Sequence, residues 1–143
     1  MKDRYLYRAK RKSDKQWFYG NLIQTDDGVY IIQNYVPQHL IENYKVDPST
    51  ICQCTGLKDK NGKLIWENDI VELYDRNTDY RWRAIVRFGN PNHEYTWGWQ
   101  LEPIGECEVN IDILCWIDME ESGAFCEVIG SAIDNLELLE VGE

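Results

Sequence analysis

Helix-forming periodicity, histidine and long apolar runs are all scarce in this chain of 143 residues. No run approaches the roughly 18 apolar residues that a membrane helix needs, so a membrane-spanning reading is excluded. Only two histidines are present, His39 and His93, both in Pro-containing, loop-like stretches. Phosphate loop, dinucleotide fingerprint and HExxH are missing, so the common phosphoryl-transfer, redox and zinc-hydrolase signatures are excluded. No apolar segment follows the basic start Met1-Lys2-Asp3-Arg4-Tyr5, and no secretion signal is expected. Lys and Arg are absent from residues 101–143, which hold twelve acids.

What is present is a globular composition: 43% hydrophobic, 28% charged, with six Trp, nine Tyr and three Phe to build a core. The formal net charge is −10. It is unevenly spread, because residues 1–20 hold seven Lys or Arg against two acids. The net negative charge disfavours generic nucleic-acid binding. The basic head (Arg8, Lys10, Arg11, Lys12, Lys15) is open to nucleic acid, a membrane surface or an acidic partner. Equally, head and tail are oppositely charged solvated faces of one fold, or partners across a subunit contact.

Five cysteines (52, 54, 107, 115, 126) are an odd number, which points to reduced thiols in a cytoplasm. Cys52-Gln53-Cys54 places both sulfurs on one face if extended. A zinc site would need Cys107, Cys126, His39 or His93 from elsewhere, and nothing in the spacing gathers them. No metal and no cofactor is expected. A Cys54–His93 dyad and the acid pairs Glu120-Glu121 and Asp26-Asp27 are the remaining catalytic candidates. Loop histidines and adjacent acids in turns are commoner as surface residues, so no enzyme is expected.

Strands and tight turns dominate the pattern. Trp17–Ile23 and Val29–Ile32 flank Thr25-Asp26-Asp27-Gly28, a hairpin signature. Asp59-Lys60-Asn61-Gly62 suggests a second hairpin with a type I′ turn, followed by Ile65-Trp66. Ile70–Tyr74 and Tyr80–Phe88 flank the polar tip 75–79. In the latter run Trp82, Ala84, Val86 and Phe88 alternate with Arg81, Arg83 and Arg87, a half-buried strand with a basic outer face. Trp97, Trp99 and Leu101 share a face of the next strand, and 111–117 and 125–129 read as two more. Ser131-Ala132-Ile133-Asp134 reads as a capping box opening a short C-terminal helix over Ala132–Leu139. About eight short strands argue for a small β-barrel or sandwich. The expected architecture is mainly β: an N-terminal β subdomain over 1–48 and a barrel-like subdomain over 49–143, meeting at Asp47-Pro48-Ser49. One compact unit is the alternative.

The segment Gln53-Cys54-Thr55-Gly56-Leu57-Lys58-Asp59-Lys60-Asn61-Gly62-Lys63-Leu64-Ile65-Trp66-Glu67-Asn68-Asp69-Ile70-Val71 resembles the signature of the YopX-like family of phage and prophage proteins. Val46–Thr50, Trp17–Leu22 and Val128–Leu139 are also similar to family landmarks. Cys54 stands where an aromatic is usual, Asn68 where Gly is, and Leu136 where Pro is common. Asn68 still tolerates the left-handed conformation that Gly would supply. The resemblance implies a β-rich fold in which Glu67–Val71 opens an SH3-like barrel, in a bacterial cytoplasm during phage carriage. It implies no activity.

Three functions follow as expectations. The first is a non-enzymatic phage accessory protein, a β module that binds a host or phage protein and is open to forming a homo-oligomer. The second is an acidic mimic of DNA that inhibits a DNA-binding enzyme. The third is a single-stranded nucleic-acid binder using the Arg and Trp of residues 81–99. Candidate partner contacts are Lys58, Lys60 and Lys63 on the Asn-Gly hairpin, with Trp66, Arg81, Arg83, Trp97 and Trp99.

Overall fold

The computed structural model describes residues 3–94, 97–106, 109–119 and 121–140. Among the described residues it is mainly β, with nine strands in two antiparallel sheets and short 3-10 turns between them. The chain divides into two compact units, residues 1–56 and 57–143.

The first unit contains β1 (Tyr7–Lys10), β2 (Trp17–Thr25), β3 (Gly28–Ile32) and most of β4 (Cys52–Lys58). Its strands run in the order β3-β2-β1-β4, and β4 continues past the division. The division falls beyond the 48/49 boundary expected from the sequence, because after Ser49 the chain still adds β4 to β1, pairing Cys52 with Arg8. The β2–β3 hairpin forms as expected, with Thr25 opposite Gly28 around a two-residue tip, Asp26-Asp27.

Register decides which residues face the interior. Ala9 pairs with Phe18 and Leu22 with Ile31, and these side chains close on Val29 and Val46. The opposite face of β1 and β2 carries Arg8, Lys10, Trp17 and Tyr19. The segment after the 3-10 turn Gln38–Tyr44 ties two edges together. Lys45 bridges Tyr30, Val46 bridges Arg11, and the Val46 and Asp47 amides donate to the carbonyls of Val29 and Lys10.

The second unit contains β5 (Leu64–Trp66), β6 (Asp69–Asp75), β7 (Tyr80–Gly89), β8 (Gly98–Pro103) and β9 (Ala124–Ser131). β6 to β9 form a sheet in the order β8-β7-β6-β9 over Ile65, Val71, Leu73, Ala84, Val86, Leu101, Ile113 and Trp116. Among the described residues neither sheet closes on itself, so the expected barrel is corrected to open sheets.

Four local expectations are corrected here. The Asp59–Lys63 turn is not type I′, because Gly62 takes a positive φ (79°) and Asn61 does not. The Asp59 amide donates to the Lys63 carbonyl and the Gly62 amide to the Asp59 carbonyl, a three-residue loop with Gly at the left-handed position. Residues 113–116 are a 3-10 turn capped by the Asp112 carboxylate, not a strand. The C-terminal helix reduces to the 3-10 turn Leu136–Leu139. Ser131 Oγ does accept the Asp134 amide, yet Asn135 leaves helical geometry (φ −121°, ψ 61°) and folds its side chain back to the Ser131 amide. Gly130 makes room for that return: a Cβ there would lie 2.6 Å from Asn135 Oδ1. Finally, Phe88 shares the face of Ala84 and Val86 by register but is 52% exposed at the open end of the strand, while Ile85 on the other face is buried.

Candidate functional site

The surface strand alternation of β2 puts three consecutive aromatics, Trp17, Phe18 and Tyr19, on both faces of one strand, so they cannot all enter one core. Phe18 packs inward on the first unit's core, while Tyr19 is 40% exposed. Past β3 the chain bends through Gln33, Asn34, Tyr35 and Val36 before Pro37 starts the turn that ends at Tyr44. These segments wall a cleft of about 490 Å³ lined by Trp17, Phe18, Tyr19, Tyr35, Tyr44, Ile31, Val36, Gln33 and Asn34. Its volume lies in the range of ligand sites. Five of the nine lining residues are aromatic and none is charged.

Cations lie against two of these rings. The Arg8 guanidinium lies 4.6 Å and the Lys10 ammonium 5.4 Å from the Trp17 ring centre. Arg11 sits 4.7 Å from the Phe18 ring, and Phe18 tilts against Tyr44 at 5.8 Å. Arg11 also donates to both oxygens of Asp14 and to the Asn43 carbonyl. That pairing pulls the Asp14 carboxyl down to about 2. Gln33 donates its amide to the Tyr19 carbonyl at 2.7 Å, which fixes the far wall. Much of the basic head is thus spent on aromatic faces and on Asp14. Lys12 and Lys15 are exposed, and their charge, after the Ser49 hydrogen bonds, helps hold Asp47 below its ordinary value.

The residues singled out from sequence lie in the second unit and do not form one patch. Lys58 and Lys63 are exposed at the Asn-Gly turn, and Lys60 pairs with Glu127 at 3.4 Å. Trp66 is 6% exposed, so it belongs to the interior and not to the expected contact surface. Arg81 donates to Glu72 at 2.6 Å and lies over Tyr74; the Glu72 hydrogen bond raises its pKa. Arg83 is exposed nearby. Trp97 is 76% exposed, and Trp97 and Trp99 each meet the Phe88 ring edge to face, at 6.3 and 5.0 Å. Arg81 and Phe88 are separated by about 23 Å of strand rise, so the arginines and the Trp97–Trp99 pair occupy opposite ends of β7. Trp82 and Trp116 pack edge to face at the core.

The catalytic candidates fare similarly. Cys54 is fully enclosed and His93 is exposed in a loop; His39 is exposed as well. Asp26-Asp27 form the hairpin tip, and Cys107 and Glu120 lie outside the described residues. Among the described residues no three His, Cys, Asp or Glu side chains gather as metal ligands. Acids of the tail have local uses: Glu102 pairs with Arg87 at 3.5 Å, Glu127 with Lys60, and Asp112 caps a turn. Also among the described residues, no helix is long and apolar enough to cross a membrane.

Sequence reasoning missed the cleft, although the run Trp17-Phe18-Tyr19 was its signal, since consecutive aromatics on a strand must leave one side outside the core. Among curated proteins, none matches the chain. The model of the YopX protein family, in contrast, matches residues 6–140, nearly the whole length. The chain therefore belongs to the YopX protein family.

Proposed function

We propose that the protein is a non-enzymatic binding module that holds a segment of another protein in the aromatic cleft of its first unit. The observation that carries this reading is the lining itself: five aromatic side chains around about 490 Å³, with amide groups and no charged side chain. Such a surface offers apolar slots and hydrogen bonds, and its lining carries no carboxylate, histidine, cysteine or lysine. In the setting implied by its lineage, the partner is a host or phage protein in the cytoplasm of a phage-carrying bacterium. The likeness of Glu67–Val71 to the opening of an SH3-like barrel belongs to the same proposal.

A nuclease-treated affinity capture from such cells tests it, comparing the wild-type chain with Tyr35→Ser and Trp97→Ser. Tyr35 is 89% exposed, so its loss leaves the fold intact. A partner lost with Tyr35→Ser and kept with Trp97→Ser supports the cleft. A partner indifferent to Tyr35 contradicts it.

One further reading has an observation behind it. The second unit holds seven Lys or Arg against nineteen acids, a net of −12, while the first holds eight against six. An acidic mimic of DNA would use that unit, and capture of a DNA-binding enzyme through it would favour this reading.

A further inference from the structure

We infer that the occupant of the first unit's cleft is an extended, proline-containing peptide segment flanked by acidic residues. This rests on the binding-module reading and names the chemistry of its ligand. A polyproline II segment has three residues per turn and no internal hydrogen bonds, and its prolines lack N–H groups. A surface that recognises it needs flat rings to form slots and donors to meet outward carbonyls. The cleft has this composition: the rings of Trp17, Tyr19, Tyr35 and Tyr44 are joined by phenol hydroxyls and by the Asn34 amide.

Other peptide modes fit less well. Strand addition at the outer edge of β3 meets an edge already in use, since Lys45 bridges Tyr30 and the Val46 amide donates to Val29. A helix-in-groove mode calls for a long aliphatic trough, whereas Ile31 and Val36 are the aliphatic side chains of this lining.

Charge selects the flank. The slot is uncharged, but Arg8, Lys10 and Arg11 lie within 5.4 Å of its ring centres. The acid of the β1–β2 connection, Asp14, is taken up by Arg11, and Lys12 and Lys15 stand exposed beside it. Positive charge bordering an uncharged slot is complementary to carboxylates next to the proline core.

Calorimetric titration of the full chain tests this with four probes: a peptide of about 12 residues with a Pro-x-x-Pro core and three flanking glutamates, its proline-to-alanine version, its glutamate-to-lysine version, and single-stranded oligo-dT. The expected result is binding of the first peptide, weakened about tenfold or more by Tyr35→Ser. Binding also weakens as salt rises and with Lys12→Glu, and the other three probes bind more weakly. Equal binding of the alanine peptide overturns the proline requirement, and equal binding of the lysine peptide overturns the charge requirement. Preferential binding of oligo-dT overturns both. If no peptide binds while capture of a protein partner still depends on Tyr35, this inference falls and the module reading stands. Capture indifferent to Tyr35 removes both.

Discussion

The carboxylate of Asp59 accepts the backbone N–H of Val128 at 2.9 Å, across 69 residues of sequence. Its other oxygen accepts the amides of Asn61 and Lys63, both at 2.9 Å, so one buried side chain holds the Asn-Gly turn and the edge of β9 together. The Lys60 amide adds a bond to the Cys126 carbonyl. Asp59→Ala removes the acceptor of three amides and is expected to cost about 3 kcal/mol. Asp59→Asn keeps one oxygen and should cost roughly half as much. Urea unfolding midpoints at unchanged slope measure both. Equal stability of wild type and Asp59→Ala would show that the carboxylate is not the clasp.

At the start of β6, Asn68 has φ 69° and bonds on all sides. Its amide donates to Val86, its carbonyl accepts from Ala132, and its Oδ1 accepts from Arg87 at 2.5 Å. Asn68→Gly relieves the left-handed strain but loses the Arg87 bond, so stability should stay within about 1 kcal/mol. Asn68→Val keeps neither advantage and is expected to lose about 2 kcal/mol or more. Thermal denaturation of the two variants reads the difference, and equal melting temperatures would refute it.

Those two turns also show how much was legible from sequence. The positions of the hairpins and the left-handed tolerance of Asn68 could be read, because Asp-Gly, Asn-Gly and positive-φ residues act through local backbone sterics. The turn type at Asn61-Gly62 was not legible. It depends on the Asp59 carboxylate capping its own loop, and that side chain is oriented by Val128. The strand expected over 111–117 failed for a similar reason: Asp112 caps its own turn and wins over the β propensity of the isoleucines. The cleft was hidden because Tyr35 and Tyr44 meet Trp17 only through the fold of the first unit.

Burial pushes the Cys126 thiol up to about 12, with the charges of Asp59, Asp69 and Glu127 adding to it. At pH 8 the thiolate fraction is then about one in ten thousand. Cys52 and Cys54 are fully enclosed, whereas Cys115 is half-buried. Peptide mapping after brief iodoacetamide treatment of the native protein should find Cys115 labelled well before Cys126. Comparable labelling of Cys126 would contradict its enclosure.

The Arg11–Asp14 pair gives a pH signature. Asp14 titrates near 2 when folded, below its ordinary 3.8, chiefly because Arg11 donates to it. A folded value below the unfolded one means that the pair supports the fold above about pH 4 and loses that support as pH falls toward 2. Carboxylate-resolved NMR titration should give the low midpoint for wild type, and Arg11→Gln should return it toward 3.8. An unchanged midpoint would remove Arg11 as the cause.

Indole N–H resonances offer the sharpest discrimination between the two aromatic surfaces, since Trp17 lines the cleft while Trp97 and Trp99 lie on the β7–β8 face. Two-dimensional nitrogen–proton spectra recorded as the bound partner segment is added follow each indole separately. If the cleft is the contact surface, the Trp17 indole shifts and those of Trp97 and Trp99 stay in place. Movement of Trp97 and Trp99 with Trp17 unchanged would contradict it.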